Sequence, residues 1–268
     1  MKPASSSAAA VASTFDRMAW TYDQVFTESV VGRAQRGIVR RELGRSFRSV
    51  RRVLELNCGT GEDALYLSSR GVEVLACDAS REMIAVARRK AALAGGEAVF
   101  LVLATESIRE LAGKAPFDGV FSNFSGLNCV PDMSGLAEDL SRLVAPRARL
   151  LLCVSGRCCL WELAWYLGKG LPAKAFRRLR GAVTARIEGR EFPVLYPTIR
   201  QWRSRFRPFF ALRRVRAVGL FVPPTYVEGW ARRRPRTVAA LARLDRRFGA
   251  WPLLRGLGDH LLLEFERT

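Results

Sequence analysis

The stretch VLELNCGTGEDA, at residues 53–64, sets a short apolar run directly before a glycine-rich turn. The apolar residues that follow, Ala64, Leu65 and Leu67, have the spacing of one helical face. The stretch is therefore typical of a strand, a tight turn and a helix in succession. Glycines in such a turn let a ligand approach the backbone closely, which favours a nucleotide-type pocket.

The same alternation of strand and helix continues to residue 156. Apolar runs predict five strands, at 53–56, 72–76, 98–103, 117–121 and 150–154. Two more strands are predicted at 212–218 and 260–265, and the arginines of the former suit the edge of a sheet. We therefore expect an α/β fold with a doubly wound, seven-stranded, mostly parallel sheet and helices on both faces.

The regular rhythm stops after residue 156, which predicts insertions into the sheet. The predicted parts are a flexible tail, 1–14; a ligand-binding core, 15–156; a helical and extended lid insertion, 157–197; a core helix and edge strand, 198–221; a basic lid insertion, 222–258; and the last core strand, 259–268. Thr198 and Gln201 have the spacing of a helix capping box, so regular structure resumes there.

Positive charge is concentrated in the C-terminal part of the chain. Residues 157–268 hold 24 Lys/Arg against 8 Asp/Glu, whereas residues 1–156 hold 20 against 17. Such a surface attracts nucleic acid, anionic lipid headgroups or an acidic substrate. The alternative is that the positive charge reflects GC-rich coding and no specific partner, because 39 of the 44 basic residues are arginine.

Cysteine and histidine usage indicates a reduced protein without a metal centre. None of the six cysteines forms a C-x-x-C pair, and the chain has one histidine. No stretch reaches the ~20 apolar residues of a membrane-spanning helix, and residues 1–14 are too polar for a secretory signal. We therefore expect a cytoplasmic location, with peripheral contact to an anionic membrane as one reading of the basic surface.

Acidic residues around the glycine turn separate two possible ligands. Asp78 stands 17 residues after Gly61 at the end of the second predicted strand, a spacing that also accepts NAD. Glu62 and Asp63 at the helix start, with Glu55 before the turn, would repel a diphosphate there. These carboxylates would instead favour a cationic sulfonium ligand such as S-adenosylmethionine.

Four linked motifs resemble the class I, Rossmann-like S-adenosylmethionine-dependent methyltransferases, particularly the branch that acts on small molecules. They are Phe15-Asp16-x-x-Ala19-x-x-Tyr22-Asp23, residues 53–61, Asp78-Ala79-Ser80-x-x-Met83, and Phe117-Asp118-x-Val120-Phe121-Ser122-Asn123-Phe124. The resemblance covers about residues 15–156 in order and spacing. It implies a transferase that binds S-adenosylmethionine and releases S-adenosylhomocysteine, with no metal.

The resemblance also implies roles for individual residues. The cofactor-binding residues it implies are Glu55, Asn57, Gly59 and Gly61 at the methionine end, Asp78 at the ribose, Ala79, Met83, Thr105 and Glu106 near the adenine, Asn123 and Phe124 near the methyl group, and Tyr22 as a lid. Asn57 replaces the first glycine of the family's turn, which is tolerable because asparagine also adopts positive φ. Thr105-Glu106 stands, displaced by one position, where the family often has an acidic residue.

Methyl transfer is an in-line displacement that depends mainly on alignment of the acceptor. A base is needed only where the acceptor atom carries a proton. The candidate catalytic residues are Tyr22 and His260, with His260 as general base. The competing interpretations are a structural histidine at a strand start and a packing role for Tyr22.

Bulky aromatic residues in the two insertions predict a hydrophobic or amphiphilic, lipid-like acceptor. Among them are Trp161, Trp165, Phe192 and Trp230. An RNA or other nucleic-acid methyltransferase is the alternative that the charge allows, but residues 122–125 lack the segment with which base-amino methylases grip a flipped base. An NAD-type oxidoreductase and a non-catalytic cofactor-binding protein are further alternatives. Nothing in the sequence fixes the oligomeric state.

Overall fold

The computed structural model describes residues 4–187 and 190–268, and a seven-stranded sheet forms its centre. The strands are β1 (Arg52–Leu56), β2 (Glu73–Asp78), β3 (Val99–Val102), β4 (Phe117–Ser122), β5 (Val144–Ser155), β6 (Ala182–Ile187), β7 (Arg190–Leu195), β8 (Phe210–Val218) and β9 (His260–Arg267). The large sheet has the order β3-β2-β1-β4-β5-β9-β8, and β6 and β7 form a separate hairpin.

Strand directions confirm the doubly wound, mostly parallel sheet. Strands β1 to β5 pair in parallel, whereas β9 runs antiparallel to both β5 and β8. Strand β8, which carries Arg213, Arg214 and Arg216, lies at the edge as its charges predict. In register, Leu56 pairs with Cys77 on one side and Ser122 on the other, so the loops after β1, β2 and β4 emerge together.

Helices cover both faces of the sheet. They are α1 (Ala4–Tyr22), α2 (Val30–Ser46), α3 (Glu62–Ser68), α4 (Arg81–Ala94), α5 (Met133–Leu143), α6 (Leu160–Gly168), α7 (Pro172–Ala175), α8 (Ile199–Phe206), α9 (Glu228–Arg233) and α10 (Pro235–Phe248). Helical segments of other geometry are the π-helix Asp23–Thr27 and the 3-10 helices Thr105–Lys114, Gly126–Cys129, Arg177–Arg180 and Thr225–Val227. The predicted capping box of Thr198 and Gln201 starts α8.

Two hydrophobic clusters hold these layers together. On one face, α5, α8 and the 3-10 helix Thr105–Lys114 bury residues such as Leu140, Trp202 and Ile108. On the other face, α2, α3, α4 and α10 bury residues such as Ile38 and Ile84. Removal of this apolar surface from water is the main stabilising contribution.

The predicted flexible tail was wrong for residues 4–14, which form the first turns of α1. The segment is rich in alanine, a strong helix former, and the helix gains tertiary contacts further along. The Ser80 hydroxyl, which caps α4, donates to Asp16 Oδ1 at 2.6 Å, and Trp20 Nε1 donates to Glu82 at 2.9 Å. Helix α1 is thereby fixed to α4. Residues 1–3 lie outside the described residues.

The two insertions take different places. Residues 157–197 form α6, α7, a 3-10 turn and the β6–β7 hairpin. Residues 222–258, predicted as a second lid, instead pack against α2 through α9 and α10, with Val222, Ala231 and Val238 in the shared cluster. The reason is the apolar stripe of α10, which packs in the same cluster as the buried apolar residues of α2. The division into core and insertions stays a prediction in its other boundaries.

No helix in the described part of the chain is both long enough and apolar enough to cross a bilayer.

Candidate active site

A cavity of about 280 Å³ opens at the carboxyl ends of β1, β2 and β4. In doubly wound sheets, ligands bind at this edge. From the sheet side the cavity is lined by Asn57, Gly59, Asp78, Ala79, Met83, Glu106, Asn123, Phe124, Ser125, Gly126, Cys129 and Val130. Helix α1 and the π-helix boundary contribute Val11, Ala12, Phe15 and Tyr22, and the hairpin contributes Ala185, Phe192 and Val194.

Most of the predicted cofactor-binding residues meet in this cavity. Those that line it are Tyr22, Asn57, Gly59, Asp78, Ala79, Met83, Glu106, Asn123 and Phe124. Glu55, Gly61 and Thr105 do not line it. Thr105 precedes the lining residue Glu106, and Glu55 and Gly61 belong to the strand and turn that carry Asn57 and Gly59. Direct contact of these three residues with a ligand stays a prediction.

The glycine turn owes its shape to three residues with positive φ. Asn57, Gly59 and Gly61 have φ values of 52°, 53° and 74°, so asparagine does take the conformation expected of it. A Cβ on Gly59 would meet no atom within 4 Å, whereas a Cβ on Gly61 would lie 2.7 Å from the Phe100 ring. Gly59 therefore leaves room beside the cavity, and Gly61 is required for packing against β3.

Asp78 closes the turn from the neighbouring strand. Its Oδ2 accepts the backbone N–H of Gly59 at 2.9 Å, and its Oδ1 accepts that of Ser80 at 2.9 Å. Burial raises the pKa of Asp78, and these two amide donors lower it again in part. The carboxylate thus stands at the cavity wall with its orientation fixed.

Glu55 lies behind the turn on β1 and is buried. Burial raises its pKa well above the usual value, and the nearby Asp63 carboxylate raises it further. Its Oε2 has no hydrogen-bond partner among the described residues. Burial therefore disfavours the charged form of this carboxyl, which does not line the cavity.

The sequence analysis expected the charges of Glu62 and Asp63 to repel a diphosphate, but the structure pairs both carboxylates with basic side chains. Asp63 is paired with Arg36 and, at 3.1 Å, with Arg40, while Glu62 is paired with Arg40 at 3.0 Å and with Lys90 at 3.1 Å. These cations neutralise both carboxylates, and neither lines the cavity.

The cavity nevertheless favours a cation over a diphosphate. Its described lining contains the carboxylates of Asp78 and Glu106 and no lysine or arginine. A diphosphate would find no positive side chain there, whereas a sulfonium with an ammonium group would find two carboxylates. The preference for a cationic ligand stays a prediction, which in the structure rests on Asp78 and Glu106.

Tyr22 closes one side of the cavity where α1 ends. Burial raises its pKa to about 12, so the phenol stays protonated at neutral pH and cannot serve as a base there. Its ring centroid lies 5.6 Å from that of Phe26. The π-helix that follows is tied to the glycine turn, because the Thr60 hydroxyl donates to Asp23 Oδ1 at 2.7 Å. This geometry suits a lid.

His260 lies behind the cavity wall and is absent from its lining. Its ring contacts the ring of Phe124, with 5.4 Å between centroids, and its Nδ1 lies 3.5 Å from Asp259 Oδ2. Burial lowers its pKa, so the imidazole is neutral at pH 7 and able to accept a proton. Its role as general base stays a prediction.

The hairpin residues Ala185, Phe192 and Val194 form part of the cavity wall, and of these three the sequence analysis had named Phe192 alone. The hairpin is held by Asn128, which is fully buried and whose Nδ2 donates to the Leu195 carbonyl at 2.6 Å. Its Oδ1 accepts the backbone N–H of Ser155 at 2.8 Å. Asn128 thus joins the hairpin to the end of β5, a contact between segments far apart in the chain.

Groups of three or more His, Cys, Asp or Glu side chains able to hold a metal are absent from the described residues. The expectation of a metal-free enzyme stays a prediction.

Comparisons with known proteins agree with this geometry. A sequence profile of the methyltransferase-domain family matches residues 53–147. The demethylmenaquinone methyltransferase of Mycobacterium sp. (strain KMS) is 30% identical over 216 residues, which cover 78% of this chain and 84% of that protein. The demethylmenaquinone methyltransferase of Clavibacter sepedonicus is 32% identical over 143 residues, 53% of this chain and 57% of that protein. In the latter case, the chain spans little more than half the length of its relative.

Solved structures support the fold. The structure described as the DhpI–SAH complex aligns over 98% of this chain and 97% of that chain, with a TM-score of 0.60 and 19% sequence identity. At that identity the similarity concerns the arrangement of helices and strands alone.

Proposed function

The chain belongs to the class I S-adenosylmethionine-dependent methyltransferases, and from that premise we propose that it methylates a small apolar or amphiphilic acceptor. The single observation that carries the proposal is the apolar wall opposite the sheet. Val11, Phe15, Phe192 and Val194 face the same cavity as Asp78 and Gly59. One side of the cavity is therefore polar and suits a cofactor, while the other suits an apolar molecule.

The residues present fit the cofactor. Asp78 would accept hydrogen bonds from the ribose hydroxyls, and Gly59, with open space at its Cβ position, would allow close approach of the methionine end. Ala79 and Met83 would pack against the adenine, and Glu106 would face its amino group. Bound S-adenosylmethionine supplies a methyl carbon activated by a positive sulfur.

This chain's own residues orient the acceptor and exclude water. Tyr22 and Phe124 would close the space around the methyl group, since both line the cavity and their rings each pack with Phe26. Alignment of this kind can lower the barrier by ~7 to 11 kcal/mol in well-oriented systems. For an acceptor that must lose a proton, His260 is the candidate base, reached after movement of the Phe124 ring.

The relatives suggest a first acceptor to test. Several are named for demethylmenaquinone, an apolar quinone, which belongs to the class that the cavity wall favours. We propose turnover of labelled S-adenosylmethionine with demethylmenaquinone that dithionite has first reduced to the electron-rich hydroquinone, because the oxidised ring is not a nucleophile toward the methyl group. The second assay uses cell extract separated into lipid, small polar and nucleic-acid fractions. Label in the lipid fraction is the expected result. Label in the nucleic-acid fraction alone would refute the apolar acceptor and favour the alternative that the charge allows.

A pair of hairpin variants tests the apolar wall directly. Val194 lines the cavity, whereas the exposed Thr184 on the same hairpin does not. Val194→Asp should lower kcat/KM for the apolar acceptor roughly tenfold or more, because a charge replaces buried apolar surface. Thr184→Asp should leave it unchanged, and both should retain the affinity of the wild type for S-adenosylmethionine. Equal activity of the two variants would remove the hairpin from the acceptor site.

A cytoplasmic location with peripheral contact to an anionic membrane is part of the proposal. It is supported by the basic C-terminal part and by the lack of a spanning helix among the described residues.

A further inference from the structure

Exposed apolar side chains are concentrated in two segments, 160–180 and 247–255. Half of the large apolar residues exposed in the described chain lie there: Leu160, Leu167, Leu171, Phe176, Leu179, Trp251 and Leu253. Leu253 is 88% exposed and Trp251 53%. Single exposed apolar residues need no explanation, but a grouped set marks a contact surface.

The two segments adjoin in space. The Leu160 N–H donates to the Leu257 carbonyl at 3.1 Å, which joins the start of α6 to the chain two residues after the second segment. Trp161 Nε1 donates to the Phe221 carbonyl at 3.0 Å. The Phe221 ring packs on Phe248, which in turn packs on Trp251 with centroids 4.7 Å apart. We call the exposed side chains of these two segments the apolar–basic face.

The charge on this face has one sign. Its exposed cations are Lys169, Lys174, Arg180, Arg247 and Arg255. The first segment has one acidic residue, Glu162, which is 1% exposed and paired with Arg177 and Arg178. The second segment has none. An approaching surface therefore meets positive charge and apolar groups together.

We propose that the apolar–basic face docks on the surface of an anionic lipid bilayer. Bulky aliphatic residues such as Leu253, surrounded by lysine and arginine, can enter the headgroup region while the cations stay among the phosphates. A nucleic acid would match the charge but offers no apolar layer for leucines, since its binding sites use aromatic stacking. The combination therefore favours lipid.

The face is continuous with the cavity through the chain. The 3-10 helix Arg177–Arg180 ends the first segment, and Gly181 leads directly into β6 of the hairpin. That hairpin supplies Phe192 and Val194 to the cavity wall. The hairpin that forms one wall of the cavity thus follows directly from the segment that docks. The inference rests on the membrane contact of the proposed function and assigns it to named residues, and it does not depend on the identity of the acceptor.

Vesicle flotation of the full chain tests the proposal. The wild type should float with vesicles of phosphatidylglycerol and phosphatidylcholine and bind vesicles of phosphatidylcholine alone much more weakly. Leu253→Ser should weaken binding about tenfold, whereas Leu93→Ser, which alters a residue 80% exposed on α4, should not change it. Lys169→Gln and Lys174→Gln should each weaken binding about fivefold. Lys114→Gln, at an exposed lysine that ends the 3-10 helix Thr105–Lys114 on another part of the surface, should have little effect.

Three outcomes would overturn the proposal. The first is no preference for anionic vesicles, or equal loss in the Leu253→Ser and Leu93→Ser variants. The second is binding to single-stranded RNA that depends on Lys169 and Lys174 but not on Leu253, which would assign the face to nucleic acid. The third is a dimer in sedimentation without lipid that Leu253→Ser dissociates, which would assign it to a second copy. Binding of S-adenosylmethionine, measured on the same samples, reports separately on the proposed enzyme function.

Discussion

The backbone N–H of Gly59 donates a hydrogen bond to Asp78 Oδ2 at 2.9 Å, which joins the turn after β1 to the end of β2. The other carboxylate oxygen is held by the Ser80 N–H at 2.9 Å. Asp78 therefore shapes the glycine turn and lines the cavity at the same time. A single carboxylate couples the local backbone to the proposed ribose site.

We expect Asp78→Ala to weaken S-adenosylmethionine binding by roughly 1 to 3 kcal/mol, because charge-assisted hydrogen bonds to the ribose are lost. Asp78→Asn should lose less, since its carbonyl oxygen can still accept one of the two amide hydrogen bonds. Titration calorimetry measures both affinities, and circular dichroism checks that the variants are folded. An unchanged affinity in folded Asp78→Ala would show that the ribose lies elsewhere.

The two glycines of the turn should respond differently to alanine. At Gly61 the new Cβ would lie 2.7 Å from Phe100 Cε1 and 2.9 Å from the Ala87 Cβ, at a φ of 74°. Overpacking and backbone strain should together lower the free energy of unfolding by roughly 2 to 5 kcal/mol. Gly59→Ala meets no neighbour within 4 Å, so strain of about 1 to 2 kcal/mol is all we expect.

For cofactor affinity we expect the opposite order: among folded variants, Gly59→Ala should lose more affinity than Gly61→Ala. The methyl group of Gly59→Ala should occupy space beside the cavity and weaken S-adenosylmethionine binding more than its small loss of stability suggests. Urea unfolding and calorimetry on both variants check the pair. A stable Gly61→Ala chain would contradict the packing role that the contact with Phe100 assigns.

The periodicity of apolar residues predicted the sheet, because the position of each strand depends on the local sequence. Each strand of the core is an apolar run next to a helix of matching spacing, and such patterns carry the fold class. The first turns of the N-terminal helix, residues 4–14, were missed for the opposite reason. Residues 4–14 have few bulky apolar positions, and the contacts that hold α1, such as Asp16 with Ser80, join residues 64 positions apart.

The charges at the site show the same difference between what local sequence predicts and what distant contacts determine. The sequence identified Glu62 and Asp63 at the helix start, but their neutralising partners Arg36 and Arg40 come from α2, more than 20 positions earlier. Likewise, the reason for glycine at position 61 is the ring of Phe100 on β3. Motif spacing indicates which residues meet a ligand, whereas charge balance depends on tertiary contacts that no spacing records.

Tyr22 should act through its ring and not as a base. Because burial raises its pKa to about 12, the phenol stays protonated at neutral pH. Tyr22→Phe should therefore keep kcat within about threefold and leave the pH profile unchanged. Tyr22→Ala should weaken cofactor binding by removing the lid. A lost basic limb in the Tyr22→Phe profile would instead reveal proton transfer by the phenol.

His260 should make stability fall as the solution is acidified. Its pKa in the folded chain lies below the ordinary 6.5, so below that pH the unfolded chain binds a proton that the folded chain does not. The free energy of unfolding contributed by His260 is complete above about pH 6.5 and declines below it. Asp245, whose pKa burial raises to about 6, gives the opposite slope, so the comparison needs a variant.

The difference between wild type and His260→Gln isolates this effect. Urea unfolding between about pH 5 and pH 7 should show the wild type losing more stability than the variant on acidification. The same variant tests catalysis: a base role predicts a kcat at least about 100-fold lower with unchanged S-adenosylmethionine affinity. Unchanged kcat with the altered pH slope would give His260 a structural role alone.

Arg178 should be the most costly arginine to remove from the first insertion. Its side chain is 9% exposed and pairs with Glu162 and Asp259 at 2.8 Å, and it also donates to the Asp259 carbonyl at 3.0 Å. Arg178→Met leaves two buried carboxylates without their shared cation, which should lower the free energy of unfolding by about 3 to 5 kcal/mol. Arg177→Met is the matched control, because Arg177 pairs with the same Glu162 but is 38% exposed, so about 1 kcal/mol or less is expected. Urea unfolding of both variants distinguishes the two positions. Equal losses would mean that the Asp259 contact adds nothing, and the start of β9 would then be held without the insertion.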